Sequence, residues 1–121
     1  MKNLLILFAL YLLTGCTMTS QTEYLNSNEK VYLRITPNTT QTELAEISTE
    51  LLKERDIKLD FEKTEFDDKG YVKTLDFEVQ FSDGTKGSTK AEYMGLVMNK
   101  WGFVRDYSAD AEYPFQIGVI K

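Results

Sequence analysis

The stretch from Thr74 to Phe81 constrains the fold most, because its side chains alternate strictly between polar and apolar. The apolar positions are filled by four large residues, Leu75, Phe77, Val79 and Phe81. This period of two predicts a strand with one buried face and one solvated face. A chain that contains such a strand must supply other apolar side chains to cover its buried face.

The Ser82-Asp83-Gly84 sequence predicts a hairpin directly after this strand. A three-residue loop with Gly84 in the left-handed conformation favours one set of pairs: Phe81 with Thr85, Val79 with Gly87, Phe77 with Thr89 and Leu75 with Ala91. A two-residue loop would instead place Lys86 and Lys90 opposite the phenylalanines. Because a slip of one residue exchanges the two faces, we expect the three-residue loop.

One principal helix is predicted after Pro37-Asn38. Thr40 and Glu43 have the spacing of a capping box, and the apolar stripe that follows consists of Leu44, Ile47, Leu51 and Leu52. Acidic residues lie in the first half of this segment, and Lys53 and Arg55 lie near its end, as the helix dipole favours.

Alternation predicts three further strands. Their apolar positions are Val31, Leu33 and Ile35, then Ile57, Leu59 and Phe61, and finally Phe115, Ile117 and Val119. Residues 94–112 fit either a helix or an extended segment, because Gly95 and Gly102 interrupt the helical spacing of Met94, Val97, Met98 and Trp101. The predicted class is α+β: a mostly antiparallel sheet of about five strands with one principal helix on one face, in the order strand, helix, three strands, uncertain segment, strand.

The beginning of the chain has a different character. Lys2 precedes an unbroken apolar run from Leu4 to Leu13, which is shorter than the roughly 20 residues of a membrane span but suits an export signal. Leu13-Thr14-Gly15-Cys16 resembles a lipobox, the signature of bacterial lipoproteins. This resemblance implies cleavage before Cys16, lipid chains such as palmitate on that residue, and anchorage to a membrane. The alternative is an ordinary buried cysteine.

The resemblance also bears on location. Thr17 stands where an Asp would resemble an inner-membrane retention signal, so we expect the outer membrane with the domain facing the periplasm. Residues 17–28 are polar and without an apolar period, which predicts a flexible tether. Residues 29–121 are then expected to form a single α+β domain.

A second resemblance covers roughly residues 30–90. The segment Ile35 to Thr40 before the helix and the Asp67-Asp68-Lys69-Gly70 turn are similar to those of small domains in bacterial lipoproteins and membrane-embedded metalloprotease sensors. The shared features are helix caps and turns. The resemblance therefore supports the fold and carries no site residues over to this chain.

Composition excludes several chemistries. The chain has no His, and its single Cys is assigned to lipid, which removes Ser-His-Asp and Cys-His catalysis and the commonest zinc ligands. The formal net charge of −5 disfavours nucleic acid and anionic lipid surfaces as partners. We expect no catalytic, cofactor or metal residues, and a disulfide-free domain.

Three groups of residues have both a structural and a functional interpretation. Asp60, Glu62, Asp76 and Glu78 lie on outward strand faces, where they are either solvated or a carboxylate pair for glycoside hydrolysis. Asp106, Asp110 and Glu112 are either loop carboxylates or a Ca²⁺ site without the EF-hand spacing. The third group is aromatic and belongs either to the core or to a recognition surface: Tyr93, Trp101, Phe103, Tyr107, Tyr113 and Phe115.

These patterns predict a lipid-anchored periplasmic protein that is not an enzyme. Its expected role is a binding or assembly module, with the membrane as one partner through Cys16 and an envelope protein as another. The alternative is a carboxylate-based hydrolase that acts on envelope glycans.

Overall fold

A computed structural model of the protein describes residues 21–120. Two helices and eight strands are found in that range. The strands are β1 (Glu23–Asn26), β2 (Lys30–Ile35), β3 (Lys58–Asp60), β4 (Glu65–Phe66), β5 (Val72–Gln80), β6 (Lys86–Ala91), β7 (Trp101–Asp106) and β8 (Phe115–Val119). The helices are α1 (Gln41–Arg55) and α2 (Tyr93–Met98). The α+β class with one principal helix and antiparallel strands is confirmed.

The strands form two four-stranded sheets rather than the single sheet that the sequence predicts. The first has the order β1-β2-β7-β8, and in the second β5 pairs with β3, β4 and β6. Both sheets contribute to one apolar core, where the Phe77 and Phe103 rings lie 6.4 Å apart. A second sheet is needed because one 15-residue helix cannot cover the apolar face of so many strands.

The predicted hairpin register is confirmed at all four pairs. Leu75 pairs with Ala91, Phe77 with Thr89 and Val79 with Gly87, while the Phe81 amide donates to the Thr85 carbonyl at 2.8 Å. The partners on β6 are small because β8 packs against them: a Cβ at Gly87 would lie 3.0 Å from Cγ2 of Ile117.

The capping box of α1 is also confirmed. The Thr40 hydroxyl accepts from the Glu43 amide at 3.1 Å, and the Glu43 carboxylate accepts from the Thr40 amide at 2.9 Å. Leu44, Ile47 and Leu51 enter the core, whereas Leu52 of the predicted stripe is half exposed. The helix ends at Asp56, which adopts a left-handed conformation.

The flexible tether predicted for residues 17–28 is wrong for residues 23–26. These residues form β1, which pairs with β2 from Glu23 opposite Arg34 to Asn26 opposite Val31. The strand has no apolar period of its own, so its order comes from a preformed sheet edge and from side chains of α1. Residues 17–20 and the signal ending at Cys16 lie outside the described residues.

The sequence left residues 94–112 open between a helix and an extended segment, and the structure contains both. Tyr93–Met98 is helical, and Trp101–Asp106 is a strand between β2 and β8. Gly102 permits this pairing, because a Cβ at that position would lie 1.8 Å from the Leu33 carbonyl oxygen.

Candidate binding site

The outward carboxylates lie on the solvent side of the second sheet. Asp60 and Glu78 occupy directly opposite positions on β3 and β5, and both are exposed. Asp76 is opposite Lys90, and the Asp60 carboxylate accepts from the Glu62 amide at 2.9 Å. The structure therefore brings Asp60 and Glu78 together but leaves both in contact with water.

The loop carboxylates serve local structure. The Asp106 carboxylate accepts from the Ser108 amide at 3.0 Å and from its hydroxyl at 2.8 Å. The bond from the Ser108 amide, followed by that from the hydroxyl, lowers the pKa of Asp106. Across residues 21–120, no three acidic side chains are grouped so that they could hold a metal ion.

The aromatic group divides between the core and the surface. Phe103 is fully buried, Phe115 packs edge-on against Phe81, and the indole Nε1 of Trp101 donates to the Thr89 hydroxyl at 3.1 Å. The other three rings are exposed: Tyr93, Tyr107 and Tyr113. Core packing thus holds for half of the group.

One exposed tyrosine, Tyr93, helps to line a surface cavity of about 320 Å³. The complete lining consists of Pro37, Asn38, Asp67, Lys69, Tyr71, Val72, Lys73 and Tyr93. We refer to this feature as the tyrosine-lysine cavity.

The lower wall of the tyrosine-lysine cavity is a turn held in place by backbone and carboxylate bonds. The Asp67 carboxylate accepts from the amides of Lys69 and Tyr71 at 2.9 and 3.0 Å, and Gly70 takes a positive φ of 88°. The Val72 amide donates to the Thr39 carbonyl at 2.9 Å, which ties β5 to the residue before the α1 cap. The turn predicted at Asp67–Gly70 is therefore confirmed and is rigidly connected to the start of α1.

Alternation along the strand determines which side chains reach the cavity. Val72 is buried, so its neighbours Tyr71 and Lys73 lie on the outer face. The pairing of β5 with β6 ends at Leu75 and Ala91, and Tyr93 follows at the start of α2. Two tyrosines and two lysines thus line the cavity from the turn, the start of β5 and the start of α2.

Lys69 and Lys73 have no ion-pair partner among the described residues. Ion pairs within residues 21–120 join Arg34 to Glu23 and Arg105 to Asp83, and neither involves these lysines. Asp67 is the one acidic residue of the lining, and its carboxylate is already occupied by the two turn amides. A hydrogen-bonded carboxylate keeps its negative charge, so the lining carries two positive charges and one negative charge, and the exposed Asp68 and Glu92 adjoin it in the chain.

Helix α2 extends an apolar surface from the edge of the cavity. Leu96 anchors the helix in the core, while Tyr93, Met94, Val97 and Met98 are 53, 60, 51 and 73% exposed. We call these four side chains the α2 patch. A short helix that buries one apolar side chain and exposes four is unusual for a surface in contact with water alone.

The chain enters the domain next to the same cavity. The hydroxyls of Thr22 and Thr39 lie 2.6 Å apart, and Thr39 follows the Pro37-Asn38 pair that lines the cavity. The N-terminal end of the described chain is therefore adjacent to the tyrosine-lysine cavity.

Comparisons with family models, curated proteins and solved structures gave no match to this chain. The two resemblances seen in the sequence therefore stay predictions. Within residues 21–120, neither helix is long and apolar enough to cross a membrane.

Sequence reasoning did not identify the cavity. Its residues come from three separate segments, and only Tyr93 belonged to a group considered functional. A partial signal was present nevertheless: Tyr71 and Lys73 flank the apolar Val72, which places a ring and a cationic group on one face of a strand, directly after the turn that contains Lys69.

Proposed function

We propose that this chain is a lipid-anchored envelope protein whose α+β domain faces the periplasm and acts as a non-enzymatic binding module. The observation that carries the proposal is the joined surface formed by the tyrosine-lysine cavity and the α2 patch. It combines a concave site, two lysines that make no ion pair within residues 21–120, and exposed apolar side chains. Such a combination is typical of recognition surfaces.

The anchor is supported by the sequence around Cys16, where Leu13-Thr14-Gly15-Cys16 resembles a lipobox. With Thr22 bonded to Thr39, the domain begins almost directly after the predicted lipid attachment. Anchoring by lipid requires two or more chains, because a single acyl chain binds a bilayer only marginally.

Substitution of Cys16 tests the anchor. We expect Cys16→Ala to accumulate as an uncleaved precursor that incorporates no labelled palmitate, whereas wild-type protein is labelled and processed. The matched control is Thr17→Ala, which should be labelled and processed like wild type. A Cys16→Ala protein that is still cut after Gly15 and enters detergent as before would overturn the anchor.

Site-specific photocrosslinking in intact envelopes tests the binding module. A photoreactive residue at Val97 lies within the α2 patch, and one at Ser82 lies in the hairpin loop at the opposite end of β5. We expect a discrete adduct of the full-length protein at position 97 and none at position 82. Equal yields at both positions, or no adduct at either, would contradict a dedicated binding surface.

The alternative, a glycan hydrolase, has one geometric observation in its favour, the opposed positions of Asp60 and Glu78. Both carboxylates are exposed on a sheet face, whereas a general acid for this chemistry needs an environment that keeps it protonated. Release of soluble fragments from purified peptidoglycan, lost in Asp60→Asn and Glu78→Gln, would favour the hydrolase over the binding module.

A further inference from the structure

Helix α2 lacks a charged face. None of its six residues, from Tyr93 to Met98, carries a charge, and Leu96 is the one that is buried in the core. Surface helices usually carry charged or polar residues on the side opposite the core, whereas a helix that is apolar all round is normally buried. The composition of α2 therefore indicates that another apolar surface covers the α2 patch.

The four side chains of the α2 patch form one continuous surface. At 3.6 residues per turn, Tyr93, Met94, Val97 and Met98 fall within about 140° of the helix circumference, and Leu96 lies outside this arc. Two of the four belong to the first half of the helix and two to the second. A two-fold rotation that reverses the helix direction places Met94 opposite Val97 and Tyr93 opposite Met98, so the patch is complementary to itself.

The residues that flank α2 have opposite charges. Glu92 precedes the helix, is exposed, and makes no side-chain hydrogen bond to the helix as its cap. Lys100, two residues after Met98, is also exposed. Neither residue takes part in an ion pair within residues 21–120. When two copies of α2 lie antiparallel, Glu92 of each copy comes beside Lys100 of the other.

The charges of the adjoining cavity do not reverse this polarity. The charged residues that line the tyrosine-lysine cavity or adjoin it in the chain are Asp67, Asp68, Glu92, Lys69 and Lys73. Negative charge is in excess among them, and they lie at the Tyr93 end of α2, whereas Lys100 lies at the Met98 end. An antiparallel contact brings ends of opposite charge together, and a parallel contact would bring like ends together.

We infer that the partner of the α2 patch is a second copy of this chain, bound through an antiparallel, two-fold contact between the two α2 helices. Met94 of each copy packs against Val97 of the other, and Glu92 lies beside Lys100 at both ends. This inference rests on the proposed binding surface and names its partner.

The size of the contact predicts a weak dimer. An interface centred on one six-residue helix lies at the low end of the range for specific complexes, below about 1,200 Å² in total. The net charge of −5 on each chain opposes association, although charges are screened over about 8 Å at physiological ionic strength. The dimer is therefore reversible, and it is best captured by crosslinking in the intact envelope.

Photocrosslinking between two differently tagged copies tests the identity of the partner. Both copies are full-length chains made in the same cells, and one carries a photoreactive residue at Val97. We expect an adduct of twice the chain mass that carries both tags. The control position is Ser82, which is exposed in the hairpin loop and should give no such adduct.

Charge reversal tests the orientation of the contact. Glu92→Lys in both copies, or Lys100→Glu in both copies, places like charges at both ends and should lower the yield of the doubly tagged adduct on the order of tenfold. Glu92→Lys in one copy and Lys100→Glu in the other restores opposite charges at both ends, so the yield should return to the wild-type level. A variant that did not fold could not recover in this way. Lys86→Glu, an exposed substitution on β6, is the matched control and should leave the yield unchanged.

The outcomes separate the dimer from the proposed function. An adduct from Val97 to a different envelope protein, with none to the second copy, overturns the dimer and supports the binding module. No adduct to any protein, or equal yields from Val97 and Ser82, contradicts both. A doubly tagged adduct that the mixed pair of reversals does not restore overturns the antiparallel contact, while the patch remains a binding surface.

Discussion

The phenol of Tyr24 on β1 donates to the Glu50 carboxylate of α1 at 2.6 Å. The Asn26 amide donates to the same Oε1 atom at 3.1 Å, and its own oxygen accepts from Nε of Arg55 at 2.7 Å. These contacts hold a strand that lacks an apolar pattern against the principal helix. The first strand of the domain is thus secured by polar side chains rather than by an alternating apolar face.

Removal of the Tyr24 hydroxyl should therefore destabilise the domain. We expect Tyr24→Phe to lower the free energy of unfolding by about 1 to 2 kcal/mol, because the bond is made to a charged and partly buried acceptor. Tyr32→Phe is the matched control, since its hydroxyl donates to the exposed Glu23 at 3.0 Å and should cost less. Urea denaturation of both variants measures the difference, and equal losses would contradict the assignment.

The same tyrosine makes stability depend on alkaline pH. Burial, followed by the hydrogen bond to Glu50, raises the pKa of Tyr24 above its ordinary value of about 10. The folded state then keeps the proton where the unfolded state loses it, so the contribution is complete below about pH 10 and is lost as the pH rises beyond that value. We expect the stability of wild-type protein to fall above pH 10 and Tyr24→Phe to flatten that fall, as thermal melts at pH 8 to 11 will show. A variant with the wild-type slope would exclude Tyr24 as the titrating group.

Neighbouring leucines in α1 should behave differently. Leu51 is fully buried, whereas Leu52 is 50% exposed. Leu51→Ala leaves a cavity and should cost about 2 to 5 kcal/mol, while Leu52→Ala should change the free energy of unfolding by less than about 1 kcal/mol. Chemical denaturation of the two variants checks the packing of α1. Similar losses in the free energy of unfolding would contradict a helix that buries Leu51 and exposes Leu52.

Two glycines provide a matched test of β7 and α2. Gly102→Ala would place a Cβ 1.8 Å from the Leu33 carbonyl oxygen, so β7 has to move away from β2. We expect a loss of about 3 kcal/mol or more. Gly95→Ala meets Trp101 at an ordinary 3.5 Å and should be neutral or stabilise α2 by up to about 1 kcal/mol. Thermal unfolding compares the two variants. A Gly102→Ala protein that unfolds at the wild-type temperature would contradict the close approach of β7 to Leu33.

The parts of the fold that the sequence predicts correctly depend on local sequence patterns. The register of β5 and β6 follows from one turn and the two faces of a strand, and the start of α1 follows from Thr40 and Glu43. Both depend on residues close together in the chain.

The missed elements depend on distant residues. The order of β1 requires the β2 edge and Glu50, which is 26 residues from Tyr24. Gly102 marks the contact of β7 with Leu33, yet nothing near it in the sequence distinguishes a glycine that permits close approach from one that ends a helix. The tyrosine-lysine cavity combines a loop, a strand and a helix start, so its composition emerges only after folding.

If Cys16 is lipidated as proposed, the early start of β1 shortens the link between the domain and the bilayer. Twelve tether residues would let the domain explore a volume that scales with the three-halves power of their number, whereas the five residues that precede Thr22 confine it to a smaller one. Effective concentration rises accordingly, by about fourfold. If Cys16 is lipidated as proposed, a partner held at the same membrane would meet the domain at that higher concentration, and lengthening residues 17–21 with Gly and Ser would lower it without changing a residue of the domain itself.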